Sequence, residues 1–231
     1  AAAFADGAGW RIIFAVDVAL LALGLIIAIV TIPQTRGPQH DERRVSAGAL
    51  RAAAPLSVAF FCFALVFLAL AGLLPAYLVE SRGLPAAEAG RIVAIATACG
   101  IAGSLLAGWL MRRGASPGRL VAVGLIASTV IAALSFSATP VPLAVAGFAL
   151  SFALGGLMPA AAFASVPLVA TDRRAIGPVN GLLAQTGSLG SLAGPPALAL
   201  WVEATDWSLA PAMLLAVAAI GAACALAVKP A

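Results

Sequence analysis

Charged residues are scarce in this chain of 231 residues, where thirteen Lys and Arg and nine Asp and Glu together make up 10% of the sequence. A soluble domain of this size carries about a quarter charged residues to cover its surface. Disordered chains are polar and poor in aliphatic residues, whereas 63% of this chain is hydrophobic. The shortage of charge therefore excludes a soluble globular fold and a disordered one, and it places the chain in a lipid bilayer.

Residues that carry metal, redox or hydrolytic chemistry are equally scarce. The three cysteines stand singly in apolar runs without C-x-x-C spacing, and His40 is the only histidine. The motif H-E-x-x-H is absent, as are a Walker sequence and paired intramembrane aspartates. The sequence implies no cofactor, no metal and no enzyme. With a single lysine, and with arginines confined to short gaps, it does not predict a nucleic-acid surface either.

Long apolar runs dominate what remains. A membrane-spanning helix needs about 20 predominantly apolar residues, and strands are not favoured because the runs are rich in Ala and Leu without alternation. The sequence predicts an all-α membrane protein with seven spans: Trp10–Ile32, Ala53–Val79, Gly90–Met111, Arg119–Ala138, Val141–Ala170, Ile176–Val202 and Trp207–Val228.

Cations alternate between the gaps that separate these spans. Ten of the thirteen fall in the first, third and fifth gaps and the tail, whereas Arg11, Arg82 and Arg91 fall on the other side. The positive-inside rule then predicts an outer N-terminus and a cytoplasmic C-terminus in a bacterial inner membrane. Asp17 lies about two turns inside the first span. It is a candidate proton site, although a structural acid near the interface is the favoured interpretation.

The first gap is the longest and most polar connection, and it divides the chain. We predict a last helix of an N-terminal bundle in residues 1–32, a basic cytoplasmic linker in 33–52 and a C-terminal six-helix bundle in 53–231. The six spans read as two triplets, as in the inverted repeats of transporters. Because the chain lacks an initial Met and a basic stretch before its first apolar run, we expect a fragment of a longer protein.

A row of small residues occupies one face of the third span, at Ala96, Gly100, Ser104 and Gly108. Small residues let two helices approach closely in lipid, where packing drives association. We interpret the row as a helix–helix contact in preference to a substrate site.

The sixth span has a second small and polar face, formed by Asn180, Ala184, Gly187, Ser191 and Gly194, with Gln185 and Ser188 on an adjoining face. Amides are costly in lipid unless they bond a partner or face water. Asn180 and Gln185, together with Ser188 and Ser191, are therefore candidates to line a hydrated cavity. Hydrogen bonds between helices are an alternative of equal weight.

Prolines and glycines interrupt two of the spans. Pro195 and Pro196 end the row in the sixth span, and Gly155, Gly156, Pro159 and Pro167 lie within the fifth. Proline removes a backbone hydrogen bond and kinks a helix. Kinked helices suit a bundle that opens alternately to two sides, and static kinks explain the same pattern equally well.

Three motifs carry a resemblance to the major facilitator superfamily, in the order that this family has them. Gly9–Phe14, opening a helix that runs to a proline and a basic loop, resembles the family's sixth helix and central loop. Gly108–Gly114 followed by Ser116–Arg119 resembles its cytoplasmic motif between helices eight and nine. Asn180–Gln185 with Gly194–Pro196 is similar to its eleventh helix.

The loop motif departs from the family pattern at one position. Arg112 stands where the family usually has an acidic residue that helps to latch the bundle, so Arg112 and Arg113 are interpreted as topology signals. The pattern from Gly187 to Pro196 is similar to the antiporters' glycine–proline motif. That motif belongs to the fifth helix, so the resemblance implies efflux only through pseudosymmetry.

The resemblance implies helices six to twelve of a twelve-helix secondary transporter. Such a protein moves a small solute, with protons as candidate coupling ions, through a cavity shared with the missing N-terminal half. In this half the expected walls are Ala53–Val79, Val141–Ala170 and part of Ile176–Val202. The alternative is a membrane module that does not transport, such as a receptor-like or scaffold bundle, without a water-accessible interior.

Overall fold

The structure is a computed structural model that describes residues 10–31, 47–170 and 173–228. This part of the chain consists of helices joined by short connections, with two short 3-10 helices at 173–175 and 207–209, which confirms the all-α prediction. The α-helices, numbered in chain order, are α1 Trp10–Thr31, α2 Ala47–Glu80, α3 Ala86–Arg112, α4 Pro117–Ser137, α5 Val141–Gly155, α6 Leu157–Val169, α7 Ile176–Ala204 and α8 Ala210–Leu226.

All seven predicted spans appear as helices whose ends differ by a few residues from the prediction. The second begins at Ala47 rather than Ala53 and so includes Arg51. The fifth is divided at Gly156 into α5 and α6. Residues 1–9, 32–46, 171–172 and 229–231 lie outside the described residues, and with them Gly9, His40, Lys229 and most of the predicted linker.

Six of the described segments are long and apolar enough to cross a membrane: Phe14–Thr31, Gly48–Glu80, Ala86–Arg112, Pro117–Ser137, Val141–Val169 and Trp207–Leu226. Helix α7 is not among them, because glycine, proline and polar side chains lower its hydropathy. Its 29 residues are still more than the roughly 20 that a spanning helix needs.

Helix α1 differs from all the others in burial. No residue of its apolar stretch Phe14–Thr31 is buried within the chain, and the Asp17 side chain is exposed. The apolar surface of α1 is therefore not covered by any element that the structure describes.

The other helices form one bundle around α2. Helix α2 packs most extensively against α7 and also against α8, while α3 packs against α5 and α6, and α4 packs against α5, α6 and α8. Two clusters of buried residues fill the bundle, one toward each end: Leu56, Val121, Leu125, Met158 and Leu183 belong to the first, and Leu74, Leu78, Phe148, Leu198 and Leu214 to the second.

Glycine sets the distance between the main helix pairs. A Cβ at Gly190 would overlap the carbonyl of Phe61 on α2, and one at Gly194 would overlap that of Leu65. On the other side of the bundle, a Cβ at Gly103 would overlap the carbonyl of Ala153. Backbone thus lies directly on backbone at both crossings, as small residues allow in membrane helices.

Candidate functional site

A cavity of about 710 Å³ lies among α2, α3, α6 and α7. This volume falls within the roughly 300–1,000 Å³ of pockets that take drug-sized molecules. The sequence named α2, the α5–α6 span and part of α7 as walls, and the structure adds α3 to them through Thr97, Gly100, Ile101 and Ser104.

Four phenylalanines line one side of the cavity. Phe60, Phe63 and Phe67 are spaced three and four residues apart, so they share one face of α2. Phe163 of α6 meets Phe60 edge to face, with ring centroids 5.4 Å apart. Behind this wall, Phe67 is held edge to face by Phe152 of α5 at 5.1 Å. We refer to Phe60, Phe63, Phe67 and Phe163 as the aromatic wall.

The sequence interpretation missed the aromatic wall, although a signal for it exists. The i, i+3, i+7 spacing of the three α2 rings places them on one helix face. The same pattern is common in buried cores, so only the position of α2 in the bundle distinguishes a cavity wall from a core.

Gly187 brings the aromatic wall against α7. A Cβ at Gly187 would overlap the Phe60 ring, with Cδ1 only 2.7 Å away. The absence of a side chain at this position therefore allows the Phe60 ring to lie against the α7 backbone.

Three of the four hydroxyl groups that line the cavity already donate their protons to backbone carbonyls, and Ser191 is the fourth. Ser188 Oγ donates to Ala184 O at 3.0 Å, and Thr97 Oγ1 donates to Val93 O at 2.8 Å. No charged side chain belongs to the lining that the structure describes. Among all the residues that the structure describes, no group of three His, Cys, Asp or Glu is placed to hold a metal ion.

Ser104 lies at the break between α5 and α6. Its Oγ is 2.9 Å from Gly156 O and 3.2 Å from Gly100 O, so its single proton is available to either carbonyl. Pro159, which lines the cavity, has no N–H and leaves the Gly155 carbonyl without its helical donor. The helix therefore divides here, beside the cavity.

The structure separates the polar residues that the sequence proposed for the sixth span. Ser188 and Ser191 line the cavity. Asn180 and Gln185 are exposed on α7 and do not belong to the lining. Of the proposed kink and packing residues, Gly100, Ser104, Pro159 and Gly187 line the cavity, whereas Gly194 and Pro195 lie against α2.

The loop motif forms a tight connection between α3 and α4. Gly114 has a φ of +90°, the Ala115 N–H donates to Leu110 O, and the Gly114 N–H donates to Met111 O, both at 3.0 Å. This pattern is a Schellman cap, which requires a left-handed residue at the position of Gly114. Ser116 then caps α4 by accepting from the Arg119 N–H at 3.3 Å.

The two arginines of this motif lie at the end of α3. The Arg113 guanidinium stacks over the Trp109 ring at 3.9 Å from its centroid, a cation–π contact. Arg112 is exposed, and its guanidinium lies 3.9 Å from the site of a Cβ at Gly108. Gly108 is therefore open, unlike Gly100 and Gly103 of the same helix.

Replacing Gly114 by alanine is expected to lower the stability of the bundle by about 1–2 kcal/mol, because a Cβ is strained in the left-handed region. The measurement is the thermal unfolding midpoint of the purified protein in detergent. Gly118→Ala is the matched control, since Gly118 has an ordinary φ and no atom within 4 Å of its Cβ position. Equal midpoints for the two variants would contradict the role assigned to Gly114.

A second polar cluster joins α2, the α2–α3 connection and α4 at the opposite end of the bundle, and the sequence interpretation missed it. Tyr77 OH donates to Phe136 O at 2.9 Å, and Arg82 donates from Nε to Tyr77 OH and from Nη2 to Phe136 O, both at 2.8 Å. The Tyr77 ring packs against Phe136, Phe148 and Trp207. We refer to Tyr77, Arg82 and Phe136 as the Tyr77 cluster.

Comparison with known proteins places this arrangement in a context. The sequence model described as Major Facilitator Superfamily matches residues 1–140. Among solved structures, the chain is similar to a bacterial homolog to the human lysosomal transporter Spinster, in an inward-facing and occupied conformation. The sequences are 16% identical with a TM-score of 0.53, over 88% of this chain and 52% of that chain.

The chain thus spans about half the length of that structure, and at this identity the likeness concerns the fold alone. No curated protein matches the sequence.

Proposed function

The chain belongs to the Major Facilitator Superfamily, and on that premise we propose that it supplies one half of a secondary transporter that moves a small solute by alternating access. The observation that carries the proposal is the cavity among α2, α3, α6 and α7. Transporters of this architecture hold their substrate between two halves near the middle of the membrane. The residues that line the cavity would form the side of such a site that this half contributes.

The bare surface of α1 supports the same division of the chain. Its apolar stretch is unburied, as expected of a helix whose packing partners belong to another bundle. We propose that residues 1–32 are the last helix of the N-terminal half, that 33–52 form the linker, the last six residues of which already belong to α2, and that 53–231 form the C-terminal half.

The packing of the helices around the cavity suits movement of this half as a unit. At Gly103, Gly190 and Gly194 the backbones of neighbouring helices are already in contact, so these helices cannot move closer together. Tightly packed contacts favour discrete rigid arrangements over gradual deformation. Alternating access then arises as rocking of the two halves around the solute.

Orientation and coupling are narrower parts of the proposal. The charge distribution supports a cytoplasmic C-terminus in a bacterial inner membrane. Asp17, an acid within an apolar stretch, is the group in this chain that proton coupling would use. The glycine–proline pattern of α7 supports efflux only through pseudosymmetry with the fifth helix, where antiporters have the motif.

The proposal is tested by accessibility of the cavity from each side of the membrane. In the full-length carrier with every native cysteine replaced by Ala, Cys62, Cys99 and Cys224 among them, Ser191→Cys is expected to react with a charged, impermeant thiosulfonate at least tenfold faster than Ser165→Cys. Ser191 lines the cavity, whereas Ser165 of α6 is 3% exposed. Reaction is expected in right-side-out and in inverted vesicles alike, because alternating access opens one cavity to both sides.

The competing function, a membrane module without transport, gives a different result. It has no hydrated interior, so Ser191→Cys would react as slowly as Ser165→Cys from both sides. Reaction from one side alone would retain the hydrated cavity but overturn alternating access.

A further inference from the structure

We propose that the cavity selects an uncharged solute with a flat aromatic part and a hydrogen-bond donor, and that Gly187 determines how large that part can be. The inference rests on the proposed function, since it names the class of solute held at the same site. Three observations carry it: the aromatic wall, the state of the hydroxyl groups and the contact between Gly187 and Phe60.

The aromatic wall provides a surface for a flat apolar group. Phe60, Phe63 and Phe67 project from one face of α2, and Phe163 closes over Phe60 from α6. Phenylalanine rings stack on such groups or meet them edge to face, and these contacts add binding energy to that of burying apolar area. An aliphatic polyol has no ring to stack and little apolar area to bury, and it would lose its hydration in the cavity.

The polar atoms of the cavity discriminate against an anion. No charged side chain lines it, and the Ser188 and Thr97 protons are donated to carbonyls of their own helices. Ser104 likewise donates to Gly156 O or Gly100 O. Oxygen lone pairs remain to accept from a solute, whereas a carboxylate would find no cation and only the Ser191 hydroxyl as an available donor to replace its water. Desolvation of an unpaired charge therefore excludes the anion.

Gly187 controls the room in front of the aromatic wall. A methyl group here would overlap the Phe60 ring, which can move more readily than backbone. The ring is already blocked by α7 on one side, so it would turn into the cavity. We therefore expect Gly187→Ala to narrow the cavity without disturbing a helix–helix contact made by backbone.

The test uses Ser191→Cys in the cysteine-free full-length carrier and measures protection from the thiosulfonate. The probes are 2-naphthalenemethanol, which is uncharged and has one hydroxyl donor, and 2-naphthoate, its anionic counterpart. The alcohol is expected to protect at a concentration at least tenfold lower than the carboxylate. Equal or better protection by naphthoate, or no protection by the alcohol, would overturn the proposed solute class.

Gly187 is tested by the size dependence of the same protection. With Gly187→Ala added, the half-protecting concentration of 2-naphthalenemethanol should rise at least fivefold, whereas that of the smaller benzyl alcohol should change less than twofold. Gly181→Ala, on the same helix with no atom within 4 Å of its Cβ position, should change neither. A general loss of folding would affect both alcohols alike, and that result would refute the role of Gly187.

The two proposals fail in different ways. If Ser191→Cys reacts from neither side of the membrane, the hydrated cavity and the solute class are both overturned. If it reacts from both sides but the alcohol gives no protection, transport stands and the solute class falls.

Discussion

Gly103→Ala is expected to destabilise the bundle by about 1–3 kcal/mol, the usual cost of forcing an extra group into a packed interior. The added methyl would overlap the carbonyl of Ala153, which is backbone and cannot turn aside. Alanine is a better helix former than glycine by roughly 0.5–1 kcal/mol, but this gain is smaller than the overlap. Helix α3 would have to move away from α5 and α6, and the Ser104 contact with Gly156 would lengthen.

Gly108→Ala is the matched control for this experiment. Gly108 lies on the same helix, and the nearest atom to its Cβ position is an Arg112 nitrogen at 3.9 Å, an ordinary contact. The thermal midpoint in detergent should fall by several degrees for Gly103→Ala and stay level or rise for Gly108→Ala. A fall of the same size in both variants would mean that the crossing of α3 with α5 and α6 is not as close as the structure has it.

Arg82→Gln is expected to destabilise the bundle by about 1.5–3 kcal/mol, the range for hydrogen bonds made by a charged group. Arg82 donates to Tyr77 OH and to Phe136 O. Phe136 is in the last turn of α4, where carbonyls have no donor from their own helix. Loss of the Arg82 side chain therefore removes one hydrogen-bond donor to the Phe136 carbonyl, and with it the hydrogen bond that holds the α2–α3 connection to α4.

The measurement is a double-mutant cycle on the thermal midpoint with Tyr77→Phe, which removes the hydroxyl that joins the other two residues. Coupling of about 0.5–3 kcal/mol is expected for residues in one hydrogen-bond network. Arg91→Gln is the control, because Arg91 is exposed on α3. If Arg82→Gln were as mild as Arg91→Gln, or if the cycle were additive, the Tyr77 cluster would not hold these helices together.

The small-residue row of α3 illustrates how far sequence periodicity reaches. Residues four apart on a helix drift by about 40° at each step, so Gly108 lies about 120° around α3 from Ala96. The contact instead follows alternating steps of three and four, through Ala96, Gly103 and Ala107. The row predicted a close helix crossing in the right segment, but it included Gly108 and left out Gly103.

The polar residues of α7 show a second limit. Polar side chains are uncommon in a spanning segment, and this one has Asn180, Gln185, Ser188 and Ser191. By residue type alone, the two amides are the strongest candidates to line a hydrated cavity. The structure places the two serines at the cavity and both amides on exposed surface. Whether a polar side chain meets a cavity depends on how α7 is rotated against α2, and Gly187, Gly190 and Gly194 set that rotation.

The sequence by itself determined the membrane class and the number and order of the apolar spans, because hydropathy and length act within short segments. Only the tertiary structure decided that Phe60 and Phe163 share a cavity, that Ser104 meets the break at Gly156, and that Arg82 reaches Phe136. Each of these contacts joins residues more than fifty positions apart. Their geometry depends on where helices cross, which no local pattern specifies.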